Sequence, residues 1–207
     1  MRLLILTCLM MISAVTLAMA NADEGLYPPP VPKDAAVVRF MNLTSGDMAV
    51  KAGSKSYGTV KTGTASPYYV QKAGKISLDL NKSASAHTLA GGQRYTAVRT
   101  ADGKTVLLKD PAGDNRAKAT VVVYNFSSQP ITLKAKAGSV AVIENVPANS
   151  NGTRDINGVK ADFSVHGADG KELTKITPVI LERGITYGII YHGNKAVMSS
   201  ATTDTRK

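Results

Sequence analysis

The chain has 207 residues, with 25 lysines and arginines against 15 aspartates and glutamates, a formal net charge of +10. Its single cysteine is Cys8 and it has no tryptophan. With one thiol there is no intramolecular disulfide and no cysteine-built metal site, so hydrophobic cores must supply the stability.

Residues 1–20 read as an export signal. Arg2 supplies the positive start, Leu3 to Leu17 is an apolar run broken by Thr7, Ser13 and Thr16, and Ala18-Met19-Ala20 gives the small-x-small cleavage pattern. Cys8 falls inside this segment, too early for a lipid-attachment cysteine. The chain is therefore expected to be exported, with cleavage near Ala20. Residues 21–34 (NADEGLYPPPVPKD) hold Pro28, Pro29, Pro30 and Pro32, which favour polyproline II and remove backbone donors. They form an N-terminal arm whose Leu26 and Tyr27 make an apolar tip suited to docking.

Beyond the arm, strand patterns dominate. Ile76, Leu78 and Leu80 alternate with polar residues, as do Ile131, Leu133 and Ala135, and then Ala161, Phe163 and Val165. Such alternation places one face on a core and the other in water. Asp102-Gly103, Asn151-Gly152, Asn157-Gly158, Asp169-Gly170 and Gly193-Asn194 read as tight turns. No long stretch carries helical apolar spacing. The chain also repeats itself: Val38-Arg39-Phe40-Met41-Asn42-Leu43-Thr44-Ser45 aligns with Val121-Val122-Val123-Tyr124-Asn125-Phe126-Ser127-Ser128, and Leu89, Gly92 and Tyr95 recur as Leu181, Gly184 and Tyr187. The expected fold is all-β, with two tandem β-sandwich-like domains, 35–109 and 119–207, joined by a short linker at 110–118. Tyr95 and Tyr187 are expected as core or corner residues.

The inventory of reactive groups is thin. There is no Gly-x-Ser-x-Gly elbow, and neither the Gly-Asp-Ser block nor the Asp-x-x-His block of SGNH-type esterases occurs. Ser45-Gly46-Asp47 has the wrong order and falls at an expected turn. His87, His166 and His192 are expected at exposed hairpin ends, and no two share metal-ligand spacing. Gly103-Lys104-Thr105 lacks the earlier glycine of a phosphate loop, since Val98 stands there. No enzyme, cofactor or metal is expected.

Binding features lie on the first half, where residues 35–109 carry eleven basic residues against three acidic ones. In an exported protein this charge suits an anionic polysaccharide or an acidic partner surface, and nucleic acid is a poor target. The candidate contacts are Lys51, Lys55, Tyr57, Lys61, Tyr68, Tyr69 and Lys72, together with Leu26 and Tyr27 of the arm. If Tyr68 and Tyr69 share a strand, at most one of them is buried.

At these same segments the sequence resembles the AlgF family, accessory proteins of alginate O-acetylation. The resemblance starts at Leu26-Tyr27 and the proline-rich arm, and continues through Pro32-Lys33 and Val37-Val38-Arg39 to Asn42. It passes through Asp110-Pro111, Asn115-Arg116 and Lys118-Ala119. It is densest at Gly152, Arg154, Ile156-Asn157, Val159-Lys160, Pro178-Val179 and Leu181-Glu182-Arg183-Gly184, and thinnest over residues 53–88. The resemblance implies a periplasmic protein of two β-sandwich-like domains, required for polymer acetylation yet without acetyltransferase catalytic residues. It implies an adaptor working with a membrane-bound O-acyltransferase and a periplasmic SGNH-type acetyltransferase. Three readings follow: an adaptor of that machinery, a module binding anionic polysaccharide, and an acyl-carrying enzyme.

Overall fold

A computed structural model of the chain describes residues 31–113, 115–200 and 203–204. Residues 1–20, read above as an export signal, lie outside the described residues, as do Leu26 and Tyr27. The described residues contain no helix, and Pro32–Asp204 forms one compact unit.

Eight strands make up the first half: β1 (Ala35–Asn42), β2 (Met48–Ala52), β3 (Lys55–Val60), β4 (Tyr68–Lys72), β5 (Gly74–Leu80), β6 (Ala84–Leu89), β7 (Arg94–Arg99) and β8 (Thr105–Asp110). Eight more make up the second: β9 (Ala119–Asn125), β10 (Ile131–Ala135), β11 (Val140–Val146), β12 (Ser150–Ile156), β13 (Lys160–Gly167), β14 (Glu172–Ile180), β15 (Thr186–His192) and β16 (Lys195–Ser200). A last short strand, β17 (Thr203–Asp204), follows. The halves share one topology. Sheets β4-β1-β7-β8 and β3-β2-β5-β6 of the first match β12-β9-β15-β16 and β11-β10-β13-β14 of the second. In both, the first strand runs parallel to the seventh, β1 with β7 and β9 with β15. The chain is an internal duplication of an eight-stranded sandwich.

Alternation explains the two outer sheets. Met48, Val50, Leu78 and Leu80 turn inward onto Val38 and Phe40 of β1, giving the core of the first half. Ile131, Leu133, Phe163 and Val165 turn inward onto Val121, Val123 and Ile189, giving the core of the second. β1 and β9 do not alternate, because every one of their residues is buried. Their second faces meet: Met41, Leu43 and Val98 pack with Val122, Tyr124, Phe126 and Ile190 in a third core between the halves. Four sheets are thus stacked with three cores between them. The connector at residues 111–118 therefore joins halves that already share buried surface.

Turn chemistry matches the expected positions at three of the five dipeptides. Gly103 and Gly170 take positive φ, and Gly193 and Asn194 both do (55° and 61°), as a two-residue hairpin requires. Asn157-Gly158 is a bend that carries the chain from β12 to β13 in the other sheet, with neither residue at positive φ, so no tight hairpin forms there. Asn151-Gly152 is different, for it sits inside β12. The glycine there answers to packing, since a Cβ would stand 2.6 Å from Ile143 Cγ2 and 2.8 Å from Val146 Cγ2. The actual turn precedes it, with Asn149 at φ 53°.

Two motifs recur with the fold. Asn42 donates through Nδ2 to the Gly46 and Val60 carbonyls and accepts from Thr44 N and Oγ1. Asn125 repeats this with Gln129 O, Val146 O and Ser127 N and Oγ. Each asparagine is fully buried at the end of the first strand of its half and ties two turns together. Tyr95 Oη accepts from Ala90 N at 3.1 Å and Tyr187 Oη from Glu182 N at 3.0 Å, a tyrosine corner in each half.

Candidate functional site

The first-half candidates divide by strand parity. β3 and β4 are neighbouring edges of the two first-half sheets, counting β4 before β17 is added. Tyr57 from β3 and Tyr69 from β4 close the gap between them. Their rings lie 4.3 Å apart, with Phe40 beneath at 5.9 and 6.2 Å. Gln71 Nε2 donates to Tyr57 Oη at 2.6 Å, and the Lys55 ammonium lies 5.2 Å from the Tyr57 ring centroid. Lys55, Tyr57 and Tyr69 are therefore brought together at one partly exposed edge. Lys51 on β2, Lys61 after β3 and Lys72 at the end of β4 are exposed cations outside the ring cluster.

Tyr68 must be withdrawn from the contact surface. It is 2 % exposed and points the opposite way from Tyr69, into the interface between the halves. There its ring takes the Arg39 guanidinium at 4.8 Å and the Arg94 guanidinium at 4.6 Å, while its Oη donates to Asp110 Oδ2 at 2.7 Å.

Arg39 and Asp110 are the centre of a network that no sequence motif announces. Arg39 Nε donates to Thr96 Oγ1 at 2.8 Å and Nη2 to Tyr124 Oη at 2.7 Å. Both hydroxyls pass the interaction on, Thr96 to Asp110 Oδ2 and Tyr124 to Asp110 Oδ1 at 2.6 Å. Asn151 Nδ2 adds a bond to Asp110 Oδ1 at 3.2 Å and another to Lys109 O at 2.9 Å. Asp110, read from sequence as the first linker residue, instead ends β8 as a buried acceptor of four hydrogen bonds. Arg39, Tyr68, Thr96 and Asp110 come from the first half, and Tyr124 and Asn151 from the second. The network ties the halves.

The electrostatics follow from burial. For Arg39, desolvation disfavours the charge, but the fields of Tyr124, Tyr68 and Asp110 outweigh it, and the pKa lies above the ordinary arginine value. Burial, and then the neighbouring Asp110 charge, push the Tyr68 phenol up to about 12 and Tyr124 well above the usual 10. A phenol whose folded pKa is raised stabilises the fold fully below its unfolded pKa near 10 and loses that contribution as pH rises through the folded value. Stability should thus fall between about pH 10 and pH 12. An alkaline titration followed by phenolate absorbance should show late-ionising tyrosines, Tyr68 and Tyr124 among them, whose change coincides with unfolding. Ionisation of every tyrosine while the fold persists would contradict this.

In the second half the corresponding edge is built differently. Val38 pairs with Tyr69, and its repeat equivalent Val121 pairs with Arg154, so Arg154 stands where Tyr69 does. Arg154 Nη1 donates to Val142 O at 3.0 Å, latching β12 to β11. Two open cavities flank β12. One of about 320 Å³ is lined by Lys118, Val140, Val142, Arg154 and Ile156 among others, and one of about 280 Å³ by Pro111, Gly113, Asn115, Thr120, Thr153 and Asp155 among others. Asp155 accepts from Thr120 Oγ1 and Asn115 Nδ2, both at 2.7 Å, and these bonds hold its pKa below the usual carboxylate value. β12 carries no aromatic residue, so composition does not mark this edge as a contact surface.

Two serine–histidine contacts occur. Ser85 Oγ lies 2.8 Å from His87 Nε2, and Ser164 Oγ lies 2.9 Å from His166 Nε2, whose Nδ1 lies 3.0 Å from the Gly170 carbonyl. His166 is not at an exposed hairpin end. It and Ser164 are buried where the turn at 136–139 covers them, with the Gly138 Cβ position 3.1 Å from His166 Nε2. The group orienting His166 is a neutral carbonyl, where a serine nucleophile's histidine is ordinarily oriented by a carboxylate. No cluster of three metal-ligating side chains occurs among the described residues.

Architecture and site together define an internally duplicated β-sandwich protein with a sealed polar interface and two unlike lateral edges. The family model described as "Alginate O-acetyl transferase AlgF" matches residues 9–188. "Alginate biosynthesis protein AlgF" of Pseudomonas putida is 34 % identical over 167 residues, covering 81 % of this chain and 77 % of that protein. Two solved structures are also similar. One is the C-terminal domain of AlgF from P. aeruginosa, 31 % identical over 41 % of this chain and 97 % of its own, with a TM-score of 0.35. The other is the N-terminal domain, 25 % identical over 40 % of this chain and 100 % of its own, with a TM-score of 0.37. The chain belongs to the AlgF family.

Proposed function

We propose that this protein is a periplasmic, non-catalytic adaptor required for O-acetylation of alginate or a similar exopolysaccharide. It holds the SGNH-type acetyltransferase near the membrane-bound O-acyltransferase that supplies acetyl groups. Membership in a family whose relatives are named for alginate biosynthesis carries the pathway assignment. The covered Ser164–His166 pair, oriented by a carbonyl, supports holding over group transfer. The test is genetic and biochemical together. A deletion strain should make polymer of strongly reduced acetyl content, and the tagged protein should retain the periplasmic acetyltransferase on a column. Fully acetylated polymer from the deletion strain would end this reading.

A second reading, direct binding of the anionic polymer, is favoured by the Lys55–Tyr57–Tyr69 edge, where a cation and two rings share one partly exposed surface. It predicts binding of polyuronate at low salt that weakens sharply as salt screens the lysines, and that Tyr57→Ala weakens further. No binding at low salt would exclude it.

A further inference from the structure

β12 ends its sheet in the order β12-β9-β15-β16, so one of its long sides has no strand beside it among the described residues. An open strand edge is a template for another strand unless something covers it. The duplication shows what can cover such an edge. β4 occupies the same place in the first half, and its outer side is taken by β17, which runs parallel to it with Thr203 opposite Tyr68 and Asp204 opposite Tyr69. Among the described residues, an extended segment thus extends one copy of this edge and the other copy is left bare.

The bare edge is furnished for side chains as well as for backbone. Gly152, Arg154 and Ile156 pair with the core residues Val123, Val121 and Ala119 and so face β11, whereas Thr153 and Asp155 face the other way. The two cavities lie on these two sides of β12 and share Arg154 and Asp155. A strand added here would send alternate side chains into one and then the other. The cavity on the β11 side has aliphatic walls from Val140, Val142 and Ile156, with Val140 44 % exposed, and cations from Lys118 and Arg154. Asp204 pairs with Tyr69 on β4, and Arg154 is the twin of Tyr69.

We propose that β12 is a strand-addition site for an extended segment of a partner protein, running parallel to β12, with a carboxylate opposite Arg154 and a branched apolar side chain against Val140, Val142 and Ile156. The backbone ladder asks for a peptide, and the aliphatic lining without an aromatic ring argues against a sugar chain. Among the described residues, this chain's own spare extended segment, β17, is engaged on β4, and the proposal takes the added strand from a partner. The proposal rests on the adaptor reading and names the site through which it acts.

The test is hydrogen exchange on the mature full chain with and without the periplasmic acetyltransferase, together with binding of three variants. Amides of Gly152–Ile156 should exchange about tenfold or more slowly in the complex. Val140→Glu and Arg154→Glu should each weaken binding about tenfold or more, and Thr88→Glu at an exposed position of β6 in the first half should leave it within about twofold. If a complex forms but protection falls on other strands, or Val140→Glu binds like the unaltered chain, the site is wrong and the adaptor reading stands. If no complex forms, both fall. If β12 becomes protected in the chain alone as its concentration rises, the added strand comes from a second copy and the partner assignment is overturned.

Discussion

Asp110→Ala should lower the unfolding free energy by about 3–5 kcal/mol, the cost of breaking a buried charged network by removing one member. The substitution strips the acceptor from Thr96, Tyr68, Tyr124 and Asn151 at once and leaves the Arg39 guanidinium buried without a counter-charge. Arg39→Met leaves the opposite charge alone and should cost a similar amount. The double variant Arg39→Met/Asp110→Leu should cost far less than the sum, because two apolar groups replace two mutually dependent charges. Urea unfolding followed by circular dichroism measures all three. Single variants within about 1 kcal/mol of the parent would mean that the network is wet and the halves are held by apolar packing alone.

Asn125→Ala should cost about 3 kcal/mol, and Asn42→Ala about the same, since each side chain is buried and makes four hydrogen bonds that join two turns. Deletion leaves the carbonyls of Val146 or Val60 buried without their donor. Asn125→Asp should not rescue the loss. It keeps an acceptor for Ser127 but turns a carboxylate toward the Gln129 and Val146 carbonyls. Because the halves share the core of Met41, Val98, Val122 and Ile190, both variants should shift one common transition. Two separated transitions, one moved by each variant, would show halves that unfold independently.

Much of this architecture is legible in the sequence where one face of a strand is wet. β5, β10 and β13 announce themselves by alternation, and the repeated Asn-Leu-Thr and Asn-Phe-Ser segments and the Leu-x-x-Gly-x-x-Tyr corners mark the duplication. β1 and β9 give no alternation because both their faces are covered, so the packing of one half on the other is invisible to a period-two reading. One trace of it was available: Arg39 is a charge set inside an otherwise apolar run, which in a strand buried on both sides demands a partner. That partner, Asp110, sits among turn formers and looks like linker. Thr96 and Tyr124 come from strands that no spacing rule connects to it. Asn151-Gly152 misleads for a related reason, since a glycine required by a crowded core has the same letters as one required by a turn. The lateral edges were half legible. Tyr57, Tyr69 and Lys55 converge, whereas Tyr68 leaves the surface by the parity of its strand.

The reading of this protein as one that holds other molecules is tested most directly by acetyl-ester turnover with the isolated chain. Hydrolysis and transfer to polyuronate should both stay at the buffer rate, and adding the chain should raise transfer only when the periplasmic acetyltransferase is present. Turnover by the chain alone that disappears in Ser164→Ala or His166→Gln would contradict the account, and would make the covered serine–histidine pair a catalyst.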